Sequence, residues 1–350
     1  MSKRNYYFDN AKFILIFLVV FGHFIRSYIG DNPFIFSLYA TIYLFHMPGF
    51  ILMSGFFAKG FHKKGYIKKI AQKILLPFFI FQIVYSIFYF FLYEDQPFEI
   101  HLLIPHWSLW FLLSLFFWNL LLVACVKWMK LKAPALLIST FVLGMAIGFI
   151  PDYLDVLSFA RTFVFFPFFL IGYYLRKEHF YLLSNKAARI GLFIGAASLF
   201  YAAYTHPQID QRWLLGSFSF AELGVSNIEG MLIRLFIYLL SFLMIAAFFS
   251  FVPKKKFFFT DWGKNTLYVY LLHGFIIKTF RDSEVQDSAE SVILLLTVSL
   301  LLTMLLSTTF VTAIAQPLIE SKWSKLKQLF AHFKNQNHLQ KSYKERINNQ

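Results

Sequence analysis

Residues 73–95 read KILLPFFIFQIVYSIFYFFLYED: one lysine, twenty residues without a charge, then two acids. A membrane helix needs about 20 mostly apolar residues, because the hydrocarbon core is about 30 Å thick and a helix rises about 1.5 Å per residue. The stretch therefore predicts one crossing, basic at its start and acidic at its end. Similar runs lie near 13–29, 38–57, 108–126, 134–150, 159–175, 188–205, 231–252, 265–280 and 291–316. With 74–93 they make ten expected spans. Pro48 and Gly49 interrupt the second, and the ninth is short.

The connections test that count. Lys3, Arg4 and Lys12 precede or open the first span. The second connection holds Lys59, Lys63, Lys64, Lys68, Lys69 and Lys73, and the fourth holds Lys127, Lys130 and Lys132. Arg176, Lys177, Lys186 and Arg189 lie in the sixth, and Lys254, Lys255, Lys256 and Lys264 in the eighth. The odd connections carry acids instead: Asp31; Glu94, Asp95 and Glu99; Asp152 and Asp155; Glu222 and Glu229; Asp282, Glu284 and Asp287. Lysine and arginine mark the cytoplasmic face. The expected fold is an all-α polytopic membrane helix bundle of about ten transmembrane helices with both termini cytoplasmic. Residues 1–317 form its membrane domain.

Residues 318–350 are expected to be a basic cytoplasmic tail. Trp323, Leu326, Phe330 and Phe333 recur there at helical spacing among Lys322, Lys325, Lys327 and Lys334. Such a face suits an amphipathic helix lying on the membrane. The 24 residues from Pro207 to Gly230 are long for a connection in a compact protein. They are expected to dip toward the bundle or cap an outer opening.

Composition agrees. Of 350 residues, 58% are hydrophobic and 48 are Phe, while only 15% are charged. A soluble domain carries roughly a quarter charged residues, so soluble, disordered and fibrous proteins are excluded. The net charge of +15 sits in clusters between apolar runs, so no nucleic acid partner is expected. Cys125 is the single cysteine and permits no intrachain disulfide. The first apolar run has no small-residue cleavage site, so no cleavable signal is expected. No metal-ligand cluster is visible, and no metal is expected.

Ionisable side chains inside spans are costly and mark candidate sites. His23 lies about ten residues into the first span, roughly 15 Å deep. His46 and His273 fall at comparable depth in the second and ninth. Three readings compete: a hydrogen bond to a neighbouring helix, an axial haem ligand, and a general base working near neutral pH. Spacing does not choose among them. Gly22, Gly49, Ser54 and Gly55 suit close helix packing, with Ser54 as a nucleophile the sharper alternative. Arg161, at the outer start of the sixth span, suits an anionic or hydroxyl-rich ligand, or snorkelling to the interface. Asp9 and Lys12 share one helix face and can pair.

Several segments form an ordered set: Asp9-Asn-Ala-Lys12, Gly22-His23, FILMSGFF at 50–57, Lys73-Ile-Leu-Leu-Pro77, LWFL at 109–112 and TLYVYLLHGF at 266–275. In this order the chain resembles the integral-membrane acyltransferase 3 family, closest to its fucose 4-O-acetylase-like branch. The resemblance implies an O-acyltransferase moving an acyl group, acetyl by family habit, from cytosolic acyl-CoA to a hydroxyl of a surface carbohydrate or glycolipid. Acetyl-CoA would be co-substrate, with no bound cofactor, and the site a bacterial cell membrane. It implies His23 as catalytic residue, acyl-CoA contact at Lys12 and Lys73, and roles for Tyr270 and His273. The family usually has Arg at positions 12 and 73, and Lys offers a point charge in place of a planar fork. An exporter of a lipid-linked glycan and a membrane scaffold are the other readings left open.

Overall fold

The computed structural model describes residues 6–93, 97–150, 155–183 and 185–331. Lys3, Arg4, Glu94, Asp95, Asp152, Phe333 and Lys334 lie outside the described residues, as does the side chain of Asp287. All regular elements described are helical. In order they are α1 (Tyr6–Ile25), α2 (Pro33–Phe57), α3 (Tyr66–Leu92), α4 (Trp110–Leu122), α5 (Ala133–Ala146), α6 (Phe159–Tyr174), α7 (Lys177–Leu182), α8 (Lys186–Thr205), α9 (Asn227–Phe251), α10 (Thr266–Asp282), α11 (Val285–Ser288), α12 (Val292–Leu306) and α13 (Thr309–Glu320). Helix is the natural solution in lipid, where every backbone N–H and C=O must be satisfied within its own segment.

Among the described residues, seven helices are long and apolar enough to cross a membrane: α1, α2, α3, α4 with its π-helical extension Val123–Trp128, α6, α8 and α9. The pair α12–α13, bent by 66°, is apolar and long enough only when taken together, as one broken span or as a re-entrant pair. The expected tenth span is thus bent in the middle. Its apolar run hides a capping pair: the Ser307 carbonyl accepts from Asn265 Nδ2 at 2.8 Å, and Thr308 Oγ1 accepts from the Val311 amide at 3.4 Å to start a new helix. Ala133–Phe149 and α10, the latter 17 residues long, are shorter, and a count of ten requires both to cross as well. The second span is less interrupted than its sequence suggests. α2 runs through Pro48 as one helix, as membrane helices tolerate when neighbours satisfy the freed carbonyl.

Connections of like parity meet. At one end, Lys59 Nζ donates to the Leu175 carbonyl at 2.5 Å, Arg189 Nε to Ser250 at 2.9 Å, and Asn10 Nδ2 to Pro253 and Lys255 at 2.9 Å each. At the other, Tyr28 Oη donates to Gln286 at 2.7 Å, the Leu157 amide to Leu103 at 2.6 Å, and the Phe220 amide to Gly148 at 2.8 Å. One end of the bundle is therefore the lysine end, and the other gathers the acidic loops. α8 lies at the periphery without one buried residue, exposing Phe193 and Ile194, a surface suited to lipid.

α2 and α6 form the broadest helix contact. A Cβ on Gly55 would stand 1.8 Å from the Phe169 carbonyl oxygen, and one on Gly172 would stand 1.9 Å from that of Leu52. Each helix thus presses a glycine against the other's backbone, the small-residue contact that lets helices approach closely in lipid. Replacing either by alanine forces the crossing apart, at a cost of about 1–3 kcal/mol or more. Gly55→Ala and Gly172→Ala are expected to lower the thermal unfolding midpoint of detergent-purified protein. Gly191→Ala, with nothing within 4 Å of its Cβ, should leave it unchanged or raise it.

Candidate functional site

Two cavities lie along α1 and α2. The loop-side cavity, about 260 Å³, is lined by His23, His46, Arg26, Arg161 and Tyr43 among others. The lysine-side cavity, about 330 Å³, has Lys12 and Lys73 on a wall that is otherwise mostly apolar, including Ile16, Phe50 and Phe111. Val19, Met47 and Tyr270 line both. They form the partition between a histidine chamber and a lysine chamber.

Backbone carbonyls set two of the histidine tautomers. His46 Nδ1 lies 2.8 Å from the Ile42 carbonyl and His273 Nδ1 lies 3.0 Å from that of Val269. A carbonyl only accepts, so Nδ1 carries the hydrogen and, in the neutral ring, Nε2 keeps a lone pair. His273 Nε2 is buried without a partner. Its ring lies near-parallel to that of His23, centroids 5.5 Å apart. His23 Nδ1 stands 3.2 Å from Tyr43 Oη, and Tyr43 stacks on Tyr39 at 3.9 Å. Arg281 Nη2 donates to the His23 carbonyl. His23 is held from three sides, by Tyr43, His273 and Arg281.

Trp107 closes the fourth side, 4.4 Å from the His23 ring. Its backbone φ of +32° is unusual for a bulky residue. Fully buried Gln82 explains the position. Its Nε2 donates to the carbonyls of His101 and Ile104 at 2.6 and 2.7 Å, and its Oε1 accepts from the His106 amide at 3.0 Å. One amide thereby fixes the loop that delivers Trp107. Ser86 Oγ holds His106 Nε2 at 2.8 Å, and burial pushes this imidazole's pKa below its ordinary value.

The segment between α8 and α9 forms a strap over the loop-side cavity, supplying Leu214, Leu215, Ser217, Phe218 and Glu222 to its wall. The sequence expectation of a capping segment matches this geometry. Phe220 anchors the strap: it fills the space that a Cβ on Gly148 or Gly230 would occupy, and the Arg234 guanidinium lies 4.5 Å over its ring. Arg212 Nε donates to Asp210 Oδ2 at 2.7 Å, which holds the Asp210 carboxyl below its usual range. Arg161 Nε donates to the Leu215 carbonyl at 3.3 Å, and its guanidinium lies 5.2 Å over Trp110.

The residues singled out in the sequence thus separate into two groups. His23, His46, Arg161 and Tyr270 share the loop-side cavity, with His273 stacked behind His23. Lys12, Lys73 and Ser54 share the other with Tyr270. Asp9 pairs with Lys12 at 3.0 Å. Ser54 Oγ donates to the Phe50 carbonyl at 2.9 Å, and no histidine among the described residues lines its cavity, which suits packing better than nucleophilic attack. Sequence reading missed Arg26, Tyr43, Met47, Gln82, Trp107 and Arg281. Gln82 carried a usable signal, as an amide inside an apolar run.

A family model described as an acyltransferase domain matches residues 5–312. The chain is 42% identical over 62 residues to nodulation protein NolL of Sinorhizobium fredii, covering 17% of each protein. It is 39% identical over 83 residues to nodulation protein NolL of Mesorhizobium japonicum, covering 22% of each. The matched stretches thus span about a fifth of the length of these curated relatives. No solved structure matches the chain.

Of the three partition residues, Val19 is stiff at χ1 and Tyr270 Oη is tied to the Ser108 carbonyl. Met47, unbranched and flexible, is the side chain that shortening would remove most cleanly. In a Cys125→Ser background, Ser217→Cys places a thiol in the loop-side cavity. An anionic, membrane-impermeant methanethiosulfonate added from the lysine end is expected to label it slowly in the parent and several-fold faster after Met47→Ala. Equal rates would mean that Met47 does not divide the chambers.

Proposed function

The chain belongs to the acyltransferase family, and from that premise we propose that it is a multi-pass membrane O-acyltransferase of a bacterial cell membrane. Acyl-CoA, acetyl-CoA by family habit, enters from the cytosol, and a hydroxyl of a carbohydrate or glycolipid enters from outside. The observation that carries this reading is the pair of cavities meeting at Val19, Met47 and Tyr270, with lysines on one side and His23 on the other. A donor and an acceptor arriving from opposite faces need such a meeting point.

The lysine end is taken as cytoplasmic, following the distribution of Lys and Arg, which puts both termini there. Lys12 and Lys73 attract the phosphates of CoA, while the apolar wall accepts its pantetheine arm. Positive charge at a cavity mouth raises the encounter rate of an anionic substrate. The membrane domain is placed at 1–317 and the tail at 318–350, with exposed Trp323 and Phe330 resting on the inner leaflet. Within the family, the motifs favour the fucose 4-O-acetylase-like branch.

In the reaction, His23 accepts the proton of the acceptor hydroxyl as its oxygen attacks the thioester carbonyl carbon. The new C–O bond forms and the C–S bond breaks. Sulfur leaves as thiolate and takes the proton from His23, giving an ester and free CoA thiol with no other reactant. With His23 Nδ1–H donating to Tyr43 Oη, 3.2 Å away, Nε2 keeps the lone pair that accepts the proton. His273 and Trp107 confine the ring.

Membranes carrying the protein, given acetyl-labelled acetyl-CoA, are expected to place label in lipid-linked or polymeric glycan. His23→Ala should reduce the rate by about 10²–10⁴-fold, the usual worth of a positioned general base. Lys12→Ala and Lys73→Ala should raise KM for acetyl-CoA more than they lower kcat. Transfer by His23→Ala at the parent rate would overturn the assignment.

A further inference from the structure

The acyl-transfer step leaves the arginines around the histidine chamber unexplained. Arg26 and Arg161 line that cavity, and Arg281 stands behind it with a hydrogen bond to the His23 carbonyl. Arg281 Nε is buried without a partner. Among the described residues, no carboxylate forms an ion pair with any of the three. Arg161 uses only Nε, on the Leu215 carbonyl, leaving both terminal nitrogens uncommitted.

Two acids share the wall and do not neutralise these cations by contact. One Glu222 carboxylate oxygen accepts from the Ser219 amide and hydroxyl, each at 2.7 Å. Asp155 acts on Arg161 only at longer range. Both arginines on the wall are partly buried, and a cation partly withdrawn from water without a contacting counter-charge carries a desolvation cost. Snorkelling does not account for them, because a snorkelling side chain ends at the interface, whereas Arg26 and Arg161 end in a chamber roofed by the strap. The uncommitted guanidinium faces fit an oxyanion, which arginine can hold through paired N–H donors.

The same chamber holds His23, so a single ligand there can present a hydroxyl to His23 and an anion to the arginines. Its volume, about 260 Å³, lies just below the usual range of small-molecule sites, about 300–1,000 Å³. That admits one sugar unit and its substituent. Trp107, Trp110 and Phe218 supply flat apolar faces beside the polar groups.

We propose that the acceptor is an acidic sugar unit, whose phosphate ester or carboxylate is held by Arg26 and Arg161 while one of its hydroxyls faces His23. This rests on the acyltransferase reading and adds the chemical class of the acceptor. It makes Arg26 and Arg161 binding residues that set specificity.

The test is binding of radiolabelled glucose 1-phosphate, glucuronate, glucose and inorganic phosphate to the purified full-length protein. One or both charged sugars should bind, and glucose far more weakly. Arg26→Gln and Arg161→Gln should each weaken the charged sugar by roughly thirtyfold or more, the effect of truncating one side of a buried charge pair. Arg26→Lys, keeping the charge without the fork, should fall between, and guards against misfolding of the Gln variant. Lys132→Gln, on an exposed connection, should have no effect.

Glucose binding as tightly as the charged sugars, or charged-sugar binding indifferent to both arginines, would overturn the proposal. So would inorganic phosphate binding as tightly as glucose 1-phosphate, since the anion would then not be sugar-borne. If His23→Ala abolishes acetyl transfer while charged and neutral sugars bind alike, the proposal falls and the acyltransferase reading stands. If transfer ignores His23 while charged-sugar binding depends on the arginines, the reverse holds.

Discussion

The crossing of α2 and α6 is the contact on which the remainder of the bundle depends. Lipid gives helices little hydrophobic reason to associate, so association relies on close packing and hydrogen bonds. Gly55 against Phe169 and Gly172 against Leu52 bring the two backbones together. Once they touch, α2 has a fixed rotation. His46 and Tyr43 then face the loop-side cavity, and Met47 lies between the two chambers. α6 is fixed by the same contact, which carries Arg161 and Phe165 to the opposite wall. Gly22 lets α1 approach, since a Cβ there would stand 3.0 Å from the Tyr43 ring.

Polar atoms complete what packing begins. In an apolar interior each donor or acceptor is costly unless paired, so paired ones are strong positional restraints. Asn10 spends its whole amide on holding the connection before α10: two carbonyls accept from Nδ2, and Thr260 donates to Oδ1 at 2.6 Å. Gln82 does the same for the loop that presents Trp107. Against this background the few unpaired buried atoms, His273 Nε2 and Arg281 Nε among them, stand out. These two residues border His23: His273 lies beside its ring and Arg281 Nη2 donates to its carbonyl.

Much of the fold was legible because it follows from the solvent. Apolar runs near 20 residues, separated by alternating basic and acidic connections, specify helices and their alternation without knowledge of any contact. The misjudged details are those where local chemistry overrides hydropathy. Pro48 looked like a break, yet α2 runs through it. The run 291–316 looked uniform, yet Ser307 and Thr308 end one helix and cap the next. Neither is visible in a sum of hydrophobicities.

The sequence by itself determined that this is a helical membrane bundle. It also determined that Lys12 and Lys73 gather at one end, and that His23, His46 and His273 lie inside, because depth along a helix is a count of residues. The tertiary structure alone decided that His23 and His46 line one chamber and Lys12 and Lys73 another, with one shared wall. It also brought Tyr43, Trp107 and Arg281 to His23. Those neighbours depend on helix rotation and crossing, which are set by glycine contacts and buried amides hundreds of residues apart in some cases, and no local pattern encodes them.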